Sequence, residues 1–312
     1  MARMNATFRT RLRLSICVPL LIALLAGCAS PRTHEQNWSD ARAKPLIGTR
    51  ATYCSALRKA DGRIDIERLI RQLVELRANT YSFCLHAAAT DWEDLQLFLP
   101  QARAKGIRVW ASIVPPSESP PRARLYAEPF RLDYARWAVE FAKLSLREPN
   151  LVAWSIDDFT HNLKVFTPER LKAILDGAHG INPKLAFVPC CYFPAITPDF
   201  VQNYAPFLDG ILFPYRHESA GANLKDASLA EAEIRKLKEL LGSTFPIVLD
   251  VYATAHSRLG ATTPEYVEQV MVAGHRAADG VMVYRHQDPI KNAEKYQIVK
   301  RLFRSWAQEA GR

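Results

Sequence analysis

Several common function classes are excluded by what the sequence lacks. Its 13 glycines form no glycine-rich phosphate loop after the first β-rich run, which argues against an open, doubly wound dinucleotide-binding sheet. No cysteine pair has the short spacing of a metal site, and the eight histidines would have to converge from separate strands to hold an ion. There is no low-complexity segment and no short internal repeat. The formal charge of +9 includes four arginines among the first 28 residues, Arg3, Arg9, Arg11 and Arg13, leaving +5 on the remainder. That excess is too mild to indicate nucleic-acid binding.

The N-terminus has the layout of an export signal: those four arginines with no acid among them, then the apolar run 14–25, then small residues. The apolar run is too short to span a bilayer. Leu25-Ala26-Gly27-Cys28 resembles the lipobox of bacterial lipoproteins, which implies cleavage after residue 27 and a diacylated Cys28 that holds the protein to a membrane. Ala29, in place of aspartate, favours the outer membrane by the same resemblance. Residues 1–27 are therefore expected to be a signal peptide, 28–44 a polar, lipidated tether, and 45–312 the folded domain. Beyond Cys17 and Cys28 there remain Cys54, Cys84, Cys190 and Cys191, in a compartment that permits disulfides. Cys54 and Cys84 fall on the first two expected strands, where either a bridge or two small buried apolar side chains would fit.

From Pro45 onward, short β-rich runs alternate with amphipathic segments, the pattern of βα units around a parallel sheet. Strands are expected over 47–54, 79–86, 107–114, 151–157, 184–190, 210–215, 246–253 and 280–286, each followed by a helix with apolar residues three and four apart. Three helices open with one device, Thr167-Pro168-Glu169, Thr197-Pro198-Asp199 and Thr263-Pro264-Glu265. In each, threonine caps, proline presets the first turn and the acid faces the helix dipole. Eight units in roughly 260 residues match a single α/β domain of the (β/α)8 TIM-barrel kind.

Active sites of that architecture lie at the carboxyl ends of the strands. The polar residues expected there are Tyr53, His86, Glu118, Asp157, Asp158, His161, Asn162, Tyr192, Tyr215, Arg216, His217, Glu218, Asp250, Tyr252, His256, Arg285, His286 and Gln287. This mixture of acids and aromatics suits carbohydrate. Adjacent Asp157 and Asp158 should repel one another at a low-dielectric mouth, so that one keeps its proton near neutrality while the other stays ionised. Such a split supplies an acid and an electrostatic partner in one site. Glu118 lies in the Pro- and Ser-rich segment 115–121, read as a flexible lid. It could complete a two-carboxylate pair with Asp158 or stay solvated. Arg216, His217 and Glu218 could bind an acidic sugar or seal the rim, whereas Trp154 and Ile156 should pack against the helices.

Asp157-Asp158-Phe159-Thr160-His161-Asn162 resembles the paired aspartate and following His-Asn of the O-GlcNAcase family of glycoside hydrolases (family 84). Asn79-Thr80-Tyr81, and Phe187-Val188-Pro189 followed by Tyr192, resemble that family's second and fifth strands. The resemblance implies that Asp157 orients and polarises a substrate 2-acetamido group acting as nucleophile. It implies that Asp158 is the general acid and then base, and that Tyr192 hydrogen-bonds near the acetamido oxygen. The chain departs from the family in having His86-Ala87-Ala88-Ala89 after strand two and Asp250-Val251 at strand seven.

The expected function is a glycoside hydrolase acting on a glycan, with N-acetylhexosamine as the implied sugar. Asp157 and Asp158 are the catalytic candidates, and Tyr192, His161, Asn162, His86, Tyr215, Arg216, Asp250 and Tyr252 the substrate-binding ones. Neither cofactor nor metal is expected. A non-catalytic glycan-binding barrel and a metal-dependent hydrolase are the alternatives.

Overall fold

A computed structural model describes residues 34–311. The expected signal peptide, 1–27, and the expected lipidation site Cys28 lie outside the described residues. The first described element is helix α1 (His34–Ala43), followed by the 3-10 turn Lys44–Leu46. This part of the expected tether is therefore helical, and its last turn is packed. Arg42 is buried and donates from Nε to Asp209 Oδ1 at 2.5 Å and from Nη1 to the Pro183 carbonyl at 3.1 Å. The polar composition of this stretch hides a partner 167 residues away.

Eight strands follow: β1 (Thr49–Tyr53), β2 (Thr80–Cys84), β3 (Arg108–Ile113), β4 (Leu151–Ile156), β5 (Ala186–Phe187), β6 (Ile211–Pro214), β7 (Ile247–Tyr252) and β8 (Gly280–Tyr284). Each lies inside its expected segment. After them in turn come α2 (Ile66–Leu76), α3 (Asp91–Arg103), α4 (Tyr134–Arg147), α5 (Pro168–His179), α6 (Pro198–Tyr204), α7 (Ala230–Leu241), α8 (Pro264–Ala277) and α9 (Ala293–Glu309). The three Thr-Pro devices do what their sequence implies. Thr167, Thr197 and Thr263 accept from the backbone N–H groups of Arg170, Phe200 and Tyr266, with proline in the first turn.

All strand pairs are parallel, in the order β5-β4-β3-β2-β1-β8-β7-β6. The ring closes between β5 and β6 through the parallel bridge Cys190↔Leu212, with Leu212 N–H donating to the Pro189 carbonyl at 3.0 Å. Strand β5 is short because Pro189 has no N–H to give to the ladder. The result is the (β/α)8 barrel expected.

Alternation along each strand splits the core in two. Residues facing the helices form the larger cluster, including Trp154, Ile156, Phe141 and Phe187. Those facing the lumen, Ala51, Trp110, Ala153, Ala186, Val188, Leu212, Val248 and Met282, form a smaller one, plugged from the amino end by Leu46. Trp154 and Ile156 thus take the packing role expected of them. Among the described residues no helix is long and apolar enough to cross a membrane.

Candidate active site

Above the apolar plug, the same parity turns polar. Tyr53, Cys190, Asp250, Tyr252 and Tyr284, which continue the lumen-facing positions, meet Asp157 around a cavity of about 490 Å³ at the carboxyl end of the barrel. Asp158, Glu118, Tyr192, His256 and Arg285 complete its polar lining. Four carboxyl groups therefore share one cavity with a single arginine.

The two adjacent aspartates arrive by different routes. Asp157 follows the last residue of β4, and its N–H still donates to the Ile113 carbonyl at 2.9 Å. Asp158 has left the sheet at φ 43° and caps the 3-10 turn Phe159–Asn162. This left-handed conformation is one that aspartate tolerates better than most residues. It folds the Asp158 N–H back onto Asp157 Oδ1 at 3.0 Å. The two carboxylates and the Cys190 thiol have ligating atoms within 4.8 Å of one another.

Their titration separates as the repulsion argument requires. Burial, and then the charge of Asp158, raise Asp157 to about 7. Burial also pushes Asp158 upward, but the neighbouring His161 ring and the Tyr192 hydroxyl outweigh it and hold Asp158 below the usual carboxylate range. Asp250 is raised to about 8 by burial, against the opposing effect of Tyr53, whose hydroxyl donates to Oδ2 at 2.7 Å. Its Oδ1 makes no hydrogen bond within the described residues. Glu118 is also raised, by burial and by Asp158. Near neutrality the cavity thus holds an ionised Asp158 beside Asp157 and Asp250, whose carboxyls keep their protons to about pH 7 and about pH 8.

Tyr192 fixes that anion. Its hydroxyl donates to Asp158 Oδ1. The His161 ring stacks on it at 4.4 Å between centroids and 9° between planes, and the Arg216 guanidinium lies 4.0 Å from its centroid. His161 also places Nδ1 3.7 Å from Asp158 Oδ2. Asn162 points away from the cavity, donating to Ser117 Oγ at 2.8 Å and to the Asp158 carbonyl at 2.9 Å. It ties the 115–121 segment to the Asp158 loop. That segment is a held turn and not a flexible lid. Pro116–Glu118 is a 3-10 turn, and buried Ser119 donates to the Pro115 carbonyl at 3.0 Å.

The remaining expected binding residues separate. Tyr252 and Asp250 line the cavity. Arg216 does not. It is buried and ion-paired with Glu218, so of the two uses weighed for this segment the contacts are those of a rim seal. Tyr215 is fully buried on the helix side, donating to the Asp226 carbonyl at 2.9 Å. It is one residue past Pro214, so strand parity turns it away. His86 lines a separate cavity of about 240 Å³, bounded by Cys54, Arg58, Tyr81 and Cys84 and sharing Tyr284 and Arg285 with the first. His286 is held by Thr52 and Gln72 at 2.8 Å each, and burial lowers it to about 4, so it is a neutral packing residue.

Cys190 and Tyr284 line the cavity without having been singled out from the sequence. Their signal was available: both continue the parity that selects Asp157 and Asp250. A wider groove of about 980 Å³ lies between α7 and α8 on the outside. Its Glu231 is neutralised by Arg235 and Arg276, and no strand residue lines it, so the barrel mouth is the better site.

No family model matches the chain, and no curated protein matches it by sequence. Solved structures do share its fold. A glucosidase from Croceicoccus marinus is 11% identical with a TM-score of 0.59, over 84% of this chain and 68% of that one. A β-D-glucuronidase from Dictyoglomus thermophilum is 12% identical with a TM-score of 0.53, over 83% of this chain but only 50% of its own length. A β-glucanase from Saccharophagus degradans is 11% identical with a TM-score of 0.57, over 83% and 88%. At such identities the likeness is one of fold.

Proposed function

We propose that this barrel is a glycoside hydrolase acting on a glycan in the cavity at the carboxyl end of its strands. The observation that carries the proposal is one ionised aspartate beside one that keeps its proton to about pH 7, both lining a single polar cavity. Glycosidic cleavage needs that combination: a proton for the leaving oxygen and a negative charge facing the oxocarbenium-like centre. The glycoside-cleaving names of the fold neighbours support the same class.

The charges favour a division of labour opposite to the one the O-GlcNAcase resemblance implies. Asp157, which keeps its proton to about pH 7, is the proton donor. Asp158, ionised and held by Tyr192, faces the developing positive charge or, in an N-acetylhexosaminide, accepts from the acetamido N–H while that group's oxygen attacks the anomeric carbon. Asp250, with one oxygen that makes no hydrogen bond within the described residues, and Tyr252 would take sugar hydroxyls. On this reading the protein is exported and anchored at Cys28, so its substrate is a glycan outside the cytoplasm.

The test is a panel of aryl glycosides, β-N-acetylglucosaminides included, with the native protein, Asp157→Asn and Asp158→Asn. Turnover reduced by about 10²–10⁴ in each variant is expected. Ligand binding with no turnover of any glycoside would replace the reading with a non-catalytic glycan-binding barrel.

One observation favours a second reading. Asp157, Asp158 and Cys190 could together ligate a metal ion, which would make the protein a metal-dependent hydrolase. Binding would have to displace the proton that burial and the nearby carboxylates keep on the Cys190 thiol. It would also compete with Tyr192 for Asp158, so the metal-free mechanism is preferred. Elemental analysis and indifference of activity to chelators decide between the two.

A further inference from the structure

The four cysteines within the described residues are not equivalent. Cys190 and Cys191 are consecutive and point to opposite sides of the sheet, Cys190 to the lumen and Cys191 into the helix layer, so they cannot face each other. Both are buried. Cys54 and Cys84 sit at the carboxyl ends of neighbouring parallel strands, where Tyr53 is opposite Ser82. Their sulfurs are 2.9 Å apart. Both are half-buried and line the 240 Å³ cavity, so a small oxidant can reach them.

We propose that Cys54 and Cys84 are a disulfide-forming pair whose bond staples β1 to β2 beside the active-site cavity. Two sulfurs already this close, on strands held in fixed register, need to approach by less than an ångström to reach the bonding distance of about 2.05 Å. The local chain gives the bond something to hold. Cys54 and Ser55 both have positive φ, 56° and 54°, a succession that non-glycine residues adopt only when held there. Cys54 also directly follows Tyr53, the residue that donates to Asp250.

The chemistry is thiol–disulfide exchange with a small disulfide such as oxidised glutathione. One cysteine thiolate attacks a sulfur of the oxidant and expels one thiolate, giving a mixed disulfide. The second cysteine thiolate then displaces the other half. The two protons pass by way of solvent to the two expelled thiolates, the protein pair loses two electrons, and the oxidant is reduced to two thiols. Burial and the mutual hydrogen bond raise the Cys54 thiol well above its ordinary value, so the exchange should quicken with rising pH.

The pair is tested on the whole chain equilibrated with oxidised glutathione, then alkylated under denaturing, non-reducing conditions, digested and weighed. The expected result is a linked peptide pair joining Cys54 to Cys84, two hydrogens lighter than the free peptides, with Cys190 and Cys191 alkylated. Alkyl groups on both Cys54 and Cys84, or a bond from either to another cysteine, overturn the proposal. Thermal unfolding supplies an independent readout. Reductant should lower the midpoint of the native protein by about 5–10 °C and leave Cys84→Ser unmoved. A native midpoint indifferent to reductant also overturns it. Neither readout depends on the glycan reading.

Discussion

At the amino end of the barrel, Asp209 is buried against Arg42, and its second oxygen accepts from the Phe187 N–H at 2.8 Å. At the carboxyl end Asp250 is buried and Asp157 half-buried, yet among the described residues neither forms an ion pair. Their hydrogen bonds come from a backbone amide and a tyrosine hydroxyl. Burial raises the acid in all three cases, and at Asp209 the arginine pulls it partway back. A buried acid with its own cation is a structural element. One that is left to hold its proton is a chemical group in waiting, because a low-dielectric site without a counter-charge favours the neutral form.

The comparison is broken most sharply by removing the cation. Arg42→Ala leaves Asp209 buried without its partner and should destabilise the fold by about 3–5 kcal/mol in denaturant unfolding at neutral pH. Asp250→Asn, at the other end, should show no loss of that size, since the native group is already neutral there. Equal losses in the two variants would erase the distinction.

The next effect is on pH dependence. The folded protein keeps a proton on Asp250 up to about pH 8, whereas an unfolded chain gives it up near about 3.9. Between those limits unfolding releases a proton, so this group makes stability fall as pH rises, by up to about 1.4 kcal/mol per pH unit. Below the unfolded value and above the folded one its slope vanishes. Asp250→Asn should flatten the stability profile between pH 4 and 8 by that amount, measured as unfolding midpoints in a common denaturant. A variant with the native slope would place the proton elsewhere.

A smaller effect sharpens the contrast within the cavity. Tyr192 holds Asp158 ionised, so Tyr192→Phe should let the Asp158 pKa rise and move the acid limb of the rate profile upward by about one pH unit. The alkaline limb, set by Asp157 near 7, should stay in place. Movement of both limbs together would mean that the two acids do not divide the roles as proposed.

How legible these features were in the sequence follows the range of the interactions that make them. The eight strands and the Thr-Pro caps are local signals, so alternation and capping chemistry place them. Adjacency supplies the repulsion between Asp157 and Asp158, but the burial that raises Asp157 and the Tyr192 hydroxyl that holds Asp158 ionised come from distant parts of the chain, so their split was legible only in part. Arg42 was not, because its partner lies across the barrel. The place of Tyr215 and Arg216 after β6 suggests binding residues, yet strand parity, applied to the last strand residue, turns Tyr215 outward. The same parity would have brought in Cys190 and Tyr284. His86 was misplaced for another reason. It lies in a loop after β2, beyond the reach of parity, and only the packing of that loop reveals a second cavity.

The finest comparison uses two similar contacts. Asn162 Nδ2 donates to Ser117 Oγ at 2.8 Å beside the cavity, and Asn182 Nδ2 donates to Ser145 Oγ at 2.7 Å at the amino end. Ser117→Ala deletes one of these bonds and Ser145→Ala two, because Ser145 Oγ also donates to the Ala142 carbonyl at 2.8 Å; each neutral hydrogen bond is worth about 1 kcal/mol. What that energy does depends on where the bond sits. Ser145 lies near the end of α4 and Asn182 just before β5, so their bond joins two packed elements. Ser145→Ala should lower stability by about 2 kcal/mol and leave kinetics alone. Ser117 precedes Glu118 on a turn whose tie to the Asp158 loop is this bond, and that turn adds little to the core. Ser117→Ala should therefore leave unfolding nearly unchanged and reduce kcat by a few fold through looser placement of Glu118 and Asp158. If the two variants exchange these signatures, the amino end is the site of the chemistry and the carboxyl end only its support.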